Sequence, residues 1–269
     1  MFLLFEQSQE TRTKAEKGSK EMMILGVAGG LGPLATACFL RRCVEMTDAG
    51  SDQEHLEIAL LNRPSTPDRT AYILDRSQPD PLPALTAAVK ALEGLGAGRI
   101  AIPCVTAHYF LAPLQQVVGV PILNALEEAA LCLQREGVSR VGILATEGTI
   151  RTGLLQNALA RRGIAAVTPD RINQRRVTDI IYRDIKAGHP ADAGAFAQVS
   201  DSLLKKGCQC ILLGCTELSV AREELRLGGG YLDILDVLAR ASVLSCGARL
   251  KPAYKTLISV QREETFPSI

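Results

Sequence analysis

No apolar run in this chain approaches the roughly 20 residues that a membrane-crossing helix needs. The N-terminal run Phe2-Leu3-Leu4-Phe5 gives way at once to polar residues, far short of a secretory signal's apolar region, so a cytoplasmic location is expected. A surplus of charge is lacking too. Lysine and arginine number 30 against 29 aspartate and glutamate, with neither a basic stripe nor an acidic block, so nothing draws the chain to nucleic acid or an anionic membrane. Metal-binding spacing is missing: Cys208-Gln209-Cys210 is not the C-x-x-C of zinc ribbons and has no histidine nearby. A dinucleotide fingerprint is missing as well, because Gly29-Gly30-Leu31-Gly32-Pro33 lacks the G-x-G-x-x-G spacing and proline interrupts it. No metal or other cofactor is expected.

What the chain does have is length for two lobes, alternating structure and cysteine. At 269 residues it reaches the size at which one core divides into two. Residues 6 to 21 are polar without an apolar period, so 1–22 reads as a disordered leader. After it, short aliphatic runs at 23–28, 56–61, 99–103, 140–145 and 210–214 alternate with amphipathic stretches, the pattern of a parallel α/β sheet. Leu85, Val89 and Leu92 predict a helix over 83–95. Val177, Ile180, Ile181 and Ile185 predict another over 172–187, stopped by Gly188. The expected division is a first lobe at 23–122, completed by about 233–250, a second at 123–232, and a tail at 251–269. The halves also repeat weakly: Gly26-Val27-Ala28-Gly29 precedes Cys104 by about the interval that separates Gly142-Ile143-Leu144-Ala145 from Cys215. Two similar lobes face to face would set both cysteines at one cleft.

Eight cysteines without a secretory signal are expected to be reduced thiols. Cys38, Cys43, Cys132 and Cys246 read as small core hydrophobes. Cys104 and Cys215 differ, because each closes a strand at the sheet's carboxyl edge, where open α/β sheets bind ligands. A helix or turn beginning there is expected to lower a thiol's pKa from about 8.5 toward neutrality. Two such thiols suit one reaction. Inverting an α-carbon takes a base on one face and an acid on the other, and a thiolate and a thiol exchange those roles at each turnover. Arg69, after Pro67-Asp68, either clamps a substrate carboxylate or pairs with Asp68 or Asp75 at the surface. His108 either tunes Cys104 or packs against its loop.

Gly29-Gly30-Leu31-Gly32-Pro33-Leu34-Ala35-Thr36, Pro67-Asp68-Arg69-Thr70-Ala71, Pro103-Cys104-Val105-Thr106-Ala107-His108, Leu144-Ala145-Thr146-Glu147-Gly148-Thr149-Ile150 and Gly214-Cys215-Thr216-Glu217-Leu218 follow one another in the order found in the pyridoxal-independent aspartate/glutamate racemases, which the sequence resembles from about residue 23 to about 240. The resemblance implies two pseudo-symmetric flavodoxin-like lobes, a site in the cleft between them, a homodimer, and neither metal nor pyridoxal. It implies Cys104 and Cys215 as the acid/base pair acting on aspartate or glutamate. Thr106 and Thr216 would hold the α-carboxylate and amino group, and Arg69 and Lys186 the side-chain carboxylate. Leu31, at the position of a family methionine, and Glu217 complete the expected substrate-binding set. One position departs: Val105 stands where the family carries asparagine. This predicts a more apolar pocket beside the α-carboxylate and aspartate binding weaker by roughly 1.5 to 3 kcal/mol. The alternatives are a decarboxylase or dicarboxylate isomerase of the same superfamily, retention of both thiols speaking against the one-thiol decarboxylases, and a weakly active or non-catalytic amino-acid-binding relative.

Overall fold

A computed structural model describes residues 22–258; the stretch expected as a leader lies outside it except for Met22, as do residues 259–269. Three parallel strands, β1 (Ile24–Gly29), β2 (Ile58–Asn62) and β3 (Ala97–Ala101), form a first sheet in the order β2-β1-β3. Four more, β4 (Arg140–Ala145), β5 (Ala165–Val167), β6 (Cys210–Gly214) and β7 (Tyr231–Asp233), form a second sheet in the order β5-β4-β6-β7. Each sheet thus sets its first strand between its second and third. Ile122, bridging Ile100 in parallel, stands in the first sheet where β7 stands in the second. The architecture is a two-lobed, flavodoxin-like α/β fold.

The helices are α1 (Pro33–Met46), α2 (Arg69–Leu74), α3 (Leu82–Gly94), α4 (Leu111–Gln115), α5 (Ala125–Arg135), α6 (Glu147–Thr152), α7 (Leu154–Ala160), α8 (Arg171–Asp179), α9 (Ala193–Leu204), α10 (Thr216–Glu224) and α11 (Ile234–Ser245). Their starts follow from local chemistry. The side chains of Asp68, Asn124, Thr146, Asp170, Asp192 and Asp233 each accept a backbone N–H at the first turn of the helix that follows. The central strands are buried on both faces, which is why they read as unbroken aliphatic runs. Close packing also needs Gly26 and Gly142 within them. A Cβ at Gly26 would lie 2.9 Å from that of Ala97, and one at Gly142 2.9 Å from Leu203 Cδ1.

The strands expected at 140–145 and 210–214 have those bounds. Those expected at 23–28, 56–61 and 99–103 are displaced by one or two residues. The helix expected over 172–187 is not continuous. It is α-helical only to Asp179, widens into a π turn over Ile180–Asp184, tightens to a 3-10 turn over Ile185–Ala187, and stops at Gly188 with φ +78°. All four residues of its predicted apolar face are buried.

The larger of two hydrophobic clusters runs through both sheets, joining Leu25, Val27 and Phe39 to Val141, Ile143 and Leu212; the other gathers Leu85, Val89, Leu92 and Ile100 in the first lobe. Helix α11 follows the last strand of the second sheet yet packs on α1 and α5 and lies against β3. Just beyond it, the Cys246 carbonyl accepts the Met23 N–H at 2.9 Å. Of the stretch expected as a tail, Ile258 is buried and Tyr254 and Leu257 pack on the core.

Candidate active site

The carboxyl ends of β1, β3, β4 and β6 deliver the Gly30–Gly32 loop, Cys104, Thr146 and Cys215 respectively. In each lobe these are the ends on either side of the point where strand order reverses, the place at which such sheets leave a crevice. Cys104, from the first lobe, and Cys215, from the second, line one small cavity with Leu31, Asp68, Arg69, Thr70, Thr106, Thr146, Tyr182, Lys186 and Glu217. Both thiols are nearly enclosed, at 8% and 5% exposure. A larger space of about 300 Å³ adjoins it, sharing Leu31, Asp68, Arg69, Lys186 and Glu217 and opening toward the start of α1.

The two thiols have opposite neighbours. Cys104 lies beside the Arg69 guanidinium; burial works against that charge, but Cys104, Asp68 and Glu217 around it hold its pKa above the ordinary value. Cys215, the residue before α10, donates its S–H to Glu217 Oε2 at 2.9 Å. Burial, and then the Glu217 charge, push the Cys215 pKa well above the usual thiol range. The expectation that the helix start lowers both pKa values therefore fails at Cys215, because desolvation and an adjacent anion outweigh a partial positive charge. Lys186 stands between two carboxylates, with Nζ 3.7 Å from Glu217 Oε1 and 3.8 Å from Asp68 Oδ2. Burial disfavours its charge, but Glu217 and its other neighbours keep its pKa raised.

Arg69 is buried and turned largely inward. Its Nη1 donates to the carbonyls of Thr66 (3.2 Å) and Pro67 (2.9 Å), and its Nη2 to that of Leu31 (2.6 Å), while Nε has no partner. The guanidinium thus fastens the β1 loop to the start of α2. Thr106 joins Thr146 (2.9 Å) and Thr149 (3.0 Å) in a buried triangle of hydroxyls across the two lobes. Thr216 does not line the cavity; its hydroxyl lies 3.3 Å from Glu217 Oε2. Val105, 3% exposed, packs in the core and does not line the cavity, contrary to the apolar pocket wall expected of it.

His108 has a structural part. The Ala125 N–H donates to its Nε2 at 3.1 Å, leaving Nδ1–H to donate to the Cys104 carbonyl at 3.0 Å. Burial holds the imidazole pKa below its ordinary value, so the ring is neutral and pins the Cys104 loop to α5. Tyr182, which the sequence did not single out, lies in the π turn and lines the cavity. Burial raises its phenol to about 12. Asp68, Thr70 and Thr146 also line the cavity without having been expected there. The signal for Thr146 was its place at the carboxyl end of a central strand.

Among the described residues no cluster of three His, Cys, Asp or Glu side chains is arranged to hold a metal, and no helix is long and apolar enough to cross a membrane. Over 226 residues the chain is 24% identical to the broad specificity amino-acid racemase RacX of Bacillus subtilis, spanning 82% of this chain and 96% of that one. The structure superposes on an aspartate racemase of Picrophilus torridus with a TM-score of 0.75 and 29% identity, over 87% of this chain and 99% of that one. It shares its fold with an aspartate racemase homologue from Pyrococcus horikoshii, at a TM-score of 0.67 and 21% identity over 84% and 99% of the two chains. The pattern that describes the Asp/Glu/Hydantoin racemases matches residues 29–241, and the chain belongs to that family.

Proposed function

We propose that the protein interconverts the enantiomers of an α-amino acid by moving one proton at the α-carbon between Cys104 and Cys215. The observation that carries this reading is the meeting of two thiols, one from each lobe, in a single cavity. Cys104, beside a cation, takes the α-proton as a thiolate. The electron pair of the broken C–H bond spreads into the carboxylate, and Cys215 gives its proton to the opposite face. The product leaves Cys104 as thiol and Cys215 as thiolate. For the other enantiomer the proton moves the other way, which requires Cys215 to start ionised. Glu217 Oε2, 2.9 Å away, is placed to receive that proton.

Aspartate and glutamate are the substrates the family resemblance implies, with Arg69 and Lys186 as receivers of the side-chain carboxylate. In that reading Lys186 exchanges its contacts with Asp68 and Glu217 for the substrate. The family resemblance also suggests a homodimer, which sedimentation would show as twice the chain mass. A cytoplasmic location agrees with eight cysteines that are all unpaired.

The deciding experiment is α-hydrogen exchange in deuterated water over a panel of amino acids. Incorporation is expected with the intact chain and its loss from one enantiomer or both in Cys104→Ser and Cys215→Ser. Exchange undiminished in either variant ends the two-thiol mechanism. A binding protein without turnover would show none in the intact chain.

A further inference from the structure

Two glycines in the loop after β1 answer different demands. Gly30 has φ +87°, a backbone that favours glycine. Gly32 has φ −126° and ψ 130°, open to any residue, so its backbone does not require glycine. What a side chain there would meet comes from the other lobe. A Cβ on Gly32 would stand 2.7 Å from Glu217 Oε1, well inside van der Waals contact, while the next atoms, Glu217 Cδ and Ala35 Cβ, lie at 3.6 and 3.8 Å.

Both backbones are fastened. The Thr36 hydroxyl accepts the Gly30 N–H and donates to the Gly32 carbonyl, each at 2.9 Å, and Arg69 Nη2 donates to the Leu31 carbonyl. Helix α1, which starts at Pro33, packs on α10, and Arg41 and Arg42 of α1 bond to Glu223 of α10. The part free to yield to a Cβ is the Glu217 carboxylate, at the end of three side-chain torsions. Where it stands, Oε2 accepts the Cys215 S–H at 2.9 Å, and Oε1 lies 3.7 Å from Lys186 Nζ with no hydrogen-bond partner.

We infer that Gly32 is a positioning residue for the reaction: its missing side chain is the seat that keeps the Glu217 carboxylate on Cys215. The kinetic arm of the test rests on the racemase reading above; the thiol arm needs no turnover. Alkylation of Cys215 by iodoacetamide at pH 8, followed by peptide mass spectrometry, is compared in the full chain, Gly32→Ala, Glu217→Ala and the double variant. Moving the anion off Cys215 eases ionisation of the thiol, so Gly32→Ala is expected to speed alkylation by about fivefold or more. With the proton acceptor displaced, kcat for the amino acid that exchanges fastest in deuterated water should fall by about fivefold or more, with KM changed by less than about threefold. In the Glu217→Ala background the Cβ meets no carboxylate, and adding Gly32→Ala should change either rate by less than about twofold. Unchanged alkylation in Gly32→Ala overturns the inference, as does an equal change with and without Glu217. A Gly32→Ala chain that fails to fold also overturns it, because the carboxylate and not the fold is to give way. An intact chain without α-hydrogen exchange overturns the racemase reading and leaves alkylation to decide the role of Gly32.

Discussion

Glu217 holds the Cys215 proton on one oxygen and faces Lys186 with the other, so its replacement separates two effects. In Glu217→Gln the anion that raises the Cys215 pKa is gone while Lys186 remains. The thiol pKa falls, and the limb of the kcat profile that reports it moves to lower pH. The proton acceptor for Cys215 is lost as well, and kcat is expected to drop at least tenfold. A pH–rate profile over both enantiomers checks both outcomes, and an unmoved limb would show that Glu217 does not govern the thiol. Val105 gives a second prediction at this scale. Restoring the family's asparagine puts an amide into an apolar core rather than into the cavity, so Val105→Asn is expected to lose about 1 to 3 kcal/mol of stability in urea unfolding without improving the KM for aspartate. A KM lowered tenfold would show that the side chain reaches the substrate.

Among the elements, α1, α10 and α11 are fastened by one cluster of charges. Arg42 of α1 bonds to Asp236 of α11 and Glu223 of α10 and lies 3.5 Å from Asp233, which is fully buried, while Arg222 of α10 bonds to Asp236. This matters to the site because α1 follows the loop at Leu31 and α10 carries Glu217 in its first turn. Removing Arg42 leaves Arg222 alone to balance the two buried carboxylates of Asp233 and Asp236. Arg42→Ala is expected to cost about 3 to 5 kcal/mol at pH 8, by urea denaturation. Burial, and then the Asp233 charge, push Asp236 up to about 7. With a folded pKa above the unfolded value of 3.8, this group favours the fold at acid pH and gives up that contribution as the pH rises through about 7. The cost of Arg42→Ala should therefore be smaller at pH 5 than at pH 8. Equal costs would mean that Asp236 is ionised at both.

How far the elements were legible depended on length and burial. β4 and β6, buried on nearly every residue, announced themselves as unbroken runs, whereas β5 and β7 have three residues each and no room for a pattern. Helix 172–187 showed its apolar face, but an apolar period does not reveal a widened turn. Tyr182, in that turn, and Lys186, in the 3-10 turn after it, both line the cavity. Cys215 and Glu217 are two residues apart and could be read together. The contact of Thr106 with Thr146 joins segments forty residues apart, and no local spacing encodes it.

For the molecule as a whole, a core continuous through both sheets predicts one cooperative unfolding event rather than one per lobe. Urea melts followed by far-ultraviolet circular dichroism and by tyrosine fluorescence should coincide; separated midpoints would show lobes that unfold independently. The chain also passes between the two sheets twice, once into α5 after Ile122 and once from β7 into α11, which packs on α1 and lies against β3. Two covalent straps between rigid bodies oppose sliding and leave rotation about the line that joins them as the soft motion. Any movement of one lobe against the other is therefore expected to be a swing, like a door on a pair of pins. Spin labels on opposite lobes should separate most at the rim farthest from those straps and hardly at all beside them.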